Sequence, residues 1–232
     1  MTNHTDTITL NREAAVAPAT VDLTAYRLVH RALTDGAARL AASVADSRPG
    51  VDRERLVALR RWYSGYEREL DLHHRLEDDR FFPALAARVP TMVEHEPRLV
   101  AEHELIVTAM RRTGRALAAV VRPGGATVAA HREAVEATAE LSARMDSHIG
   151  YEDADILPLF VRHMDAEEYE AIEEAAKRDG SLRTMAFTIP FIMEAADDEE
   201  RAALLDDAPA VLRWLWVATR GRYRRLAQTA FG

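Results

Sequence analysis

Four stretches of this chain carry apolar residues at helical spacing, with short breaks between them. The first, VDLTAYRLVHRALTDGAARLAAS from Val21, stops at the turn signal SRPG at 47–50. The second starts at Asp52, a residue type suited to capping a helix N-terminus. Its inward ridge runs through Leu56, Leu59, Tyr63, Tyr66, Leu70, His73 and Glu77, in alternating steps of three and four. It is expected to end at Phe82–Pro83, since proline has no N–H to continue the ladder. A third helix is expected to begin at Pro97, a residue favoured at a first helical position. It carries Leu99, His103, Ile106, Met110 and Leu117 on one side and breaks at RPGG, 122–125. The fourth starts near Thr127 and turns Ala134, Leu141, Met145, His148, Glu152 and Leu159 inward. Long helices joined by short connections predict an antiparallel up-down four-helix bundle over residues 21–164.

The flanks read differently. Residues 1–20 are polar and without periodicity, a loose arm. DAEEYEAIEEAAKRDG (165–180) predicts another helix, with Asp165 and Glu168 as a capping-box-like start and Gly180 as the stop. The tail beyond is apolar at Phe187, Ile189, Phe191, Trp214 and Trp216. This C-terminal helical extension, 165–232, is therefore expected to pack on the bundle or at a homodimer interface. The fold class is all-α.

Composition narrows the chemistry. Ala and Leu abound, aromatic residues make up 6%, and β-branched residues cluster nowhere, which favours helix over sheet. A net charge of -8 argues against wholesale nucleic-acid binding. The absence of cysteine excludes disulfides, thiolate zinc sites, cysteine nucleophiles and cysteine-ligated clusters. The N-terminus lacks a basic start followed by an apolar run, and no apolar stretch nears the roughly 20 residues of a spanning helix. A soluble, cytoplasmic protein without nucleic-acid or membrane partners is the expectation.

The inward ridges carry histidines: His30, His73, His103 and His148, one per helix. Glu77 and Glu152 follow the second and fourth at i+4, one turn along the same face. The chain thus contains one unit twice. HHRLEDDRFFP (73–83) and HIGYEDADILP (148–158) share a His, a Glu, the Asp after it, and a Pro six residues beyond the Glu. Four imidazoles and two carboxylates converging in an apolar interior would be severely destabilising without a partner. Cations resolve this, and the donor set suits two metals sharing bridging carboxylates. His4, His74, His95, His131 and His163 fall off the ridges and read as surface residues. His74 has Asp78 at i+4, but the paired prolines favour the register built on His73.

DLTAYRLVHRAL, LHHRLEDDRFFPAL, LVAEHELI and DSHIGYEDADILPLF resemble, in order, the four helices of the hemerythrin-like, HHE cation-binding family. That resemblance covers about residues 22–163 and implies a bundle holding two iron ions as an oxo- or hydroxo-bridged non-haem diiron centre. The family's ligands fall on His30, His73, Glu77, His103, His148 and Glu152. Ferritin-like bundles, with Glu-x-x-His signatures and more carboxylates, fit less well. One departure matters: the family's oxygen carriers place a fifth histidine four residues after the third-helix one, where this chain has Val107. Valine cannot ligate, so an open coordination position is expected, with Tyr26 and Tyr151 as candidates to fill it or to hydrogen-bond nearby.

Two functions follow. One is binding and reaction with O2, peroxide or NO as a small ligand, in an apolar chamber. The other is an oxidase acting on a small, charged organic substrate, which requires a polar chamber with Tyr26, Glu69 or Arg144 facing in. Glu69 and Arg144 each stand one turn before a metal histidine, where Leu70 and Met145 compete for the inward position; an exposed flank is the expectation for both. A weaker third reading has the metals merely hold the bundle while the tail is the working surface. The basic run RWLWVATRGRYRRL, with Arg213, Arg220, Arg222, Arg224 and Arg225, reads first as a solvated helix face and second as a site for an anionic partner.

Overall fold

The computed structural model describes residues 20–179 and 182–232, so nearly all of the expected N-terminal arm, and the Gly180 stop, lie outside the described residues. Helix α1 spans Thr24–Asp46. Helix α2 runs Arg53–Leu76, widens into a π turn at Glu77–Phe81 and continues through Phe82–Ala86. Helix α3 is Met92–Val121. Helix α4 repeats the pattern of α2: Val128–Tyr151, a π turn at Glu152–Ile156, then Leu157–His163. The extension supplies α5 (Ala166–Asp179), α6 (Leu182–Ala195), α7 (Asp198–Asp207) and α8 (Ala210–Phe231). Among the described residues there is no strand, and no helix is long and apolar enough to cross a membrane.

Helices α1 to α4 close a ring in which α2 packs on α3, α3 on α4, α4 on α1 and α1 on α2. The inward ridges read from the sequence face this interior, and Leu33, Leu40, Leu59, Leu70, Leu117 and Leu141 are fully buried. Helices α6 and α8 pack on each other and across α1 and α2. Phe191 is buried there, Phe187, Ile189 and Trp216 are half-buried, and Trp214 stands 66% exposed.

Two boundaries and one cap depart from the sequence expectation. Helix α3 starts at Met92, not Pro97. Buried Met92 and Leu99 lie two turns apart and anchor the early start, while Pro97 frees only the carbonyl of exposed Val93. Asp52 precedes α2 but caps nothing, because its carboxylate accepts the Arg48 N–H at 2.8 Å instead. Helix α2 does not stop at Pro83. In the π turn the Phe82 N–H reaches back five residues to the Glu77 carbonyl, and the wider turn relieves the clash proline makes in an α-helix. Leu157 does the same to Glu152 ahead of Pro158. The extra residue also shifts the inward face, so Ile156, Leu157 and Phe160 are buried while Leu159, expected inward, is only half-buried. The start of α4 is as expected: Thr127 Oγ1 accepts the Ala130 N–H at 3.1 Å.

The extension meets α2 at Gly65, where a Cβ would lie 2.3 Å from the Phe187 ring. In an isolated helix Gly→Ala stabilises by up to about 1 kcal/mol. Here Gly65→Ala should instead destabilise by about 1–3 kcal/mol through overpacking. Removing the ring with Phe187→Ala should reverse the sign of the Gly65→Ala effect. Denaturant melts of the two single variants and the double variant measure this coupling, and an additive result would contradict the docking of α6 on α2.

Candidate metal centre

Each bundle helix passes from one apolar cluster to another through a polar layer. On α1, His30 separates Tyr26 from Leu33; on α2, His73 and Glu77 separate Leu70 from Phe81. On α3, His103 separates Leu99 from Ile106; on α4, His148 and Glu152 separate Met145 from Ile156. The layer is dry: Glu77 and Glu152 are fully buried, and none of the four histidines is more than 8% exposed. Imidazole Nε2 atoms face carboxylate oxygens at 3.1 Å (His73–Glu77), 3.3 Å (His148–Glu152), 3.4 Å (His30–Glu152) and 3.5 Å (His103–Glu77).

His74 belongs to this layer, contrary to its expected surface position. It is buried, its ring stacks on His103 at 4.2 Å, and it meets His148 edge-on at 5.5 Å. Helix α2 packs against both α1 and α3, so its buried face is wide enough for two successive residues. His73 turns toward His30, with ring centres 5.1 Å apart, and His74 turns toward α3. The donors form two groups whose ligating atoms lie within 4.8 Å of one another: His74, Glu77, His103 and His148 in one, His30, His73, Glu77 and Glu152 in the other. Glu77 is common to both. Glu152 also spans them, with Oε2 near His30 and Oε1 near His148.

A second set of carboxylates orients the imidazoles from outside. His30 Nδ1 pairs with Asp153 at 2.7 Å, His103 Nδ1 with Asp78 at 3.0 Å and His148 Nδ1 with Glu102 at 3.0 Å. Pairing through Nδ1 turns Nε2 of each ring toward the centre. The bracing is crossed: the Asp following each repeat's Glu holds the lone histidine of the other repeat. The π turns begin at those Glu residues, so they set where Glu77–Asp78 and Glu152–Asp153 project. Tyr26 donates its hydroxyl hydrogen to Glu77 Oε1 at 2.6 Å.

Electrostatically the layer is a compromise. Burial opposes the charge on Glu77, but the charge of neighbouring His30 holds its carboxyl below the usual range. Burial and the neighbouring Glu77 charge push Glu152 up. His30 is raised to about 9 and His103 to about 10: burial works against their charge, but Asp153 and Asp78 outweigh it. Burial drives His73 down to about 3, and His74 well below the ordinary imidazole range, keeping both neutral. Even so, His30, His73, His103 and His148 Nε2, both ring nitrogens of His74, Glu77 Oε2 and both Glu152 oxygens make no hydrogen bond. Buried polar atoms are rarely left so, and here all seven side chains bring such an atom into one layer. Imidazole and carboxylate together are a donor set for a borderline divalent or trivalent cation, so the residues present fit a metal.

Beside the His30–His73 side lies a cavity of about 190 Å³ walled by Val29, Leu72, Leu76 and Phe81. Tyr26, Glu69, His73 and Glu77 supply polar atoms to it. Glu69 is therefore not an exposed flank: it is buried, pushed up by that burial, and accepts a hydrogen bond from Thr188 of α6. Arg144 does not share the chamber. It is a third exposed, pairs with Glu140 at 2.7 Å and lines a separate surface groove with Glu102 and Ser147. Tyr151 lies on the flank, bonded to His95 at 2.6 Å beneath the Arg98 guanidinium. His131 is half-buried against Ser47 and the Val44 carbonyl, and His163 is exposed; His4 lies outside the described residues.

Periodicity reached the ridge residues but missed His74, Asp78, Asp153 and Glu102. The repeated Glu–Asp pair was a usable signal for two of them, and the doubled histidine of HHRLE for another. No curated protein and no solved structure matches the chain. The family description "Hemerythrin HHE cation binding domain" matches residues 21–160, more than half of the chain and the whole span that supplies the buried His/Glu layer. The chain belongs to the hemerythrin HHE cation-binding family.

Proposed function

We propose that this protein holds two iron ions between His30, His73, His74, Glu77, His103, His148 and Glu152, and binds and reacts with O2 or related small ligands such as peroxide and NO. One observation carries the reading: each of these seven side chains has a buried nitrogen or oxygen atom with no hydrogen-bond partner, and the seven fall into two groups whose donor atoms lie within 4.8 Å of one another. In this reading His74, His103 and His148 would hold one ion, His30 and His73 the other, and Glu77 and Glu152 would serve both. His74 takes the part the family's oxygen carriers give to the position of Val107. The less ligated side is then the one that opens onto the cavity.

An iron pair supplies electrons and Lewis acidity to small oxygen- or nitrogen-containing ligands. The chain's own contribution is positional. Val29, Leu72, Leu76 and Phe81 give the open side an apolar wall. Tyr26 keeps its hydroxyl hydrogen and donates it in a hydrogen bond to Glu77 Oε1, within the cavity wall. Glu69, whose burial favours its protonated form, is a proton store on the same wall.

A second reading, an oxidase of a small organic molecule, is favoured by the cavity itself. At about 190 Å³ with Tyr26 and Glu69 on its wall, it exceeds what a diatomic needs. Arg144 lies outside it, so a substrate there would meet carboxylates rather than a guanidinium, and a neutral or cationic molecule fits better than an anion.

The iron content of anaerobically loaded protein should be two ions per chain. His74→Ala should lower it to about one or weaken one site by roughly 10–100-fold, whereas His163→Ala should leave it unchanged. Equal content in all three would remove His74 from the centre. Exposure of the ferrous protein to O2 and then to peroxide, followed in the near ultraviolet, separates the functions. Prompt spectral change without added organic substrate supports the small-ligand reading, and a ferrous form inert until an organic molecule is added supports the oxidase. Glu69→Gln should slow peroxide turnover by roughly 100-fold with iron content intact, if Glu69 delivers protons; an unchanged rate would exclude that role.

A further inference from the structure

We infer that the groove between α2, α6 and α8 binds a small organic anion, one carrying phosphate or carboxylate charge on a flat apolar body. This open groove of about 790 Å³ lies on the far side of α2 from the ring interior, along the seam where α8 and α6 cover the bundle. Its volume falls within the range of small-molecule sites, roughly 300–1,000 Å³.

Four guanidiniums line it. Arg61 and Arg68 stand two turns apart on one face of α2, and Arg222 and Arg225 one turn apart on α8. Against them the groove presents one carboxylate, Glu54. The chain has 38 acidic residues against 30 basic ones, and many of its arginines elsewhere find carboxylates, though others, such as Arg27 and Arg115, do not among the described residues. Arg31 pairs with Glu200, Arg39 with Glu194, Arg55 with Asp46, Arg112 with Glu133 and Glu140, and Arg201 with Asp198. Among the described residues the four groove arginines form no salt bridge, although Glu67, which lies toward Gly114 of α3, is close enough to Arg68 to feel its charge. Like charges gathered around one concavity repel one another, and an anion placed between them removes that cost. The planar guanidinium fork matches phosphate and carboxylate oxygens in pairs.

The floor selects the rest of the ligand. Val57, Ala58, Phe187, Tyr223 and Leu226 present an apolar, partly aromatic surface between the two arginine rows. Bare phosphate would leave that surface wet, whereas a flat ring system would cover it. Two of the five arginines in the basic run of the C-terminal helix thus acquire a role. Arg213, Arg220 and Arg224 do not line the groove: Arg213 donates to the Ala208 carbonyl and Arg220 lies over Trp216.

The test is a fluorescence titration of the full chain with FMN and with anilinonaphthalene sulfonate, two flat anionic probes. Riboflavin, which lacks the phosphate, and inorganic phosphate, which lacks the ring, complete the set. At least one probe should saturate below about 1 mM. Arg61→Glu combined with Arg222→Glu should weaken it at least about tenfold, while Arg224→Glu, on the same helix but outside the groove, should change it less than about twofold. Helicity and melting temperature of each variant confirm that binding, not folding, has changed. Riboflavin and phosphate should each bind more weakly than FMN. The inference is overturned if neither probe saturates, if Arg224→Glu weakens binding as much as the groove pair, or if phosphate alone binds as tightly as the ringed anions.

Discussion

Two carboxylates, Glu77 and Glu152, sit fully buried at the middle of a helical bundle, and the rest of the structure is arranged around making that tolerable. An unpartnered buried carboxylate costs several kcal/mol or loses its charge. Here imidazoles from all four helices surround the pair, and carboxylates nearer solvent, Asp78, Asp153 and Glu102, fix three of those rings from behind. The apolar clusters above and below then have a polar layer to seal rather than a continuous core to complete. Charge remains unequally shared within the layer, with Glu77 held down and Glu152 pushed up. Cations would let both carboxylates ionise while all the imidazoles stay neutral.

The two repeats make the frame; the places where they differ give it direction. Val29 before His30 matches Glu102 before His103, and His74 after His73 matches Ile149 after His148. Tyr26 matches Leu99. These exchanges put an additional imidazole and an additional orienting carboxylate on one side. On the other they put a tyrosine, a small apolar wall and a cavity. A frame that is nearly twofold thus presents a closed face and an open one, and small-ligand chemistry needs that distinction.

Much of this was legible in the sequence. Leu56 through Glu77 and Leu99 through Leu117 gave their helices' inward faces because a 3.6-residue period has no competing interpretation over that length. The capping threonine at 127 was equally readable. What escaped was whatever breaks the period. A π turn adds a residue without any local signature beyond the prolines that follow, so Leu159 was placed inward in place of Phe160. His74 escaped because a ridge drawn through single positions allows one inward residue per turn, and α2 is buried against two neighbours at once. Glu69 escaped for a related reason: its cover is Thr188, more than a hundred residues along, on a helix outside the bundle. Tertiary context overrode local pattern in each case.

The central claim is that five imidazoles and two bridging carboxylates enclose a pair of ions. Anomalous diffraction at the iron edge from crystals of the iron-loaded full chain tests it most directly. The account requires two peaks inside the ring, one next to His74, His103 and His148 and the other next to His30 and His73, with Glu77 and Glu152 between them. A single peak, or a pair with His74 turned away from both, would contradict it.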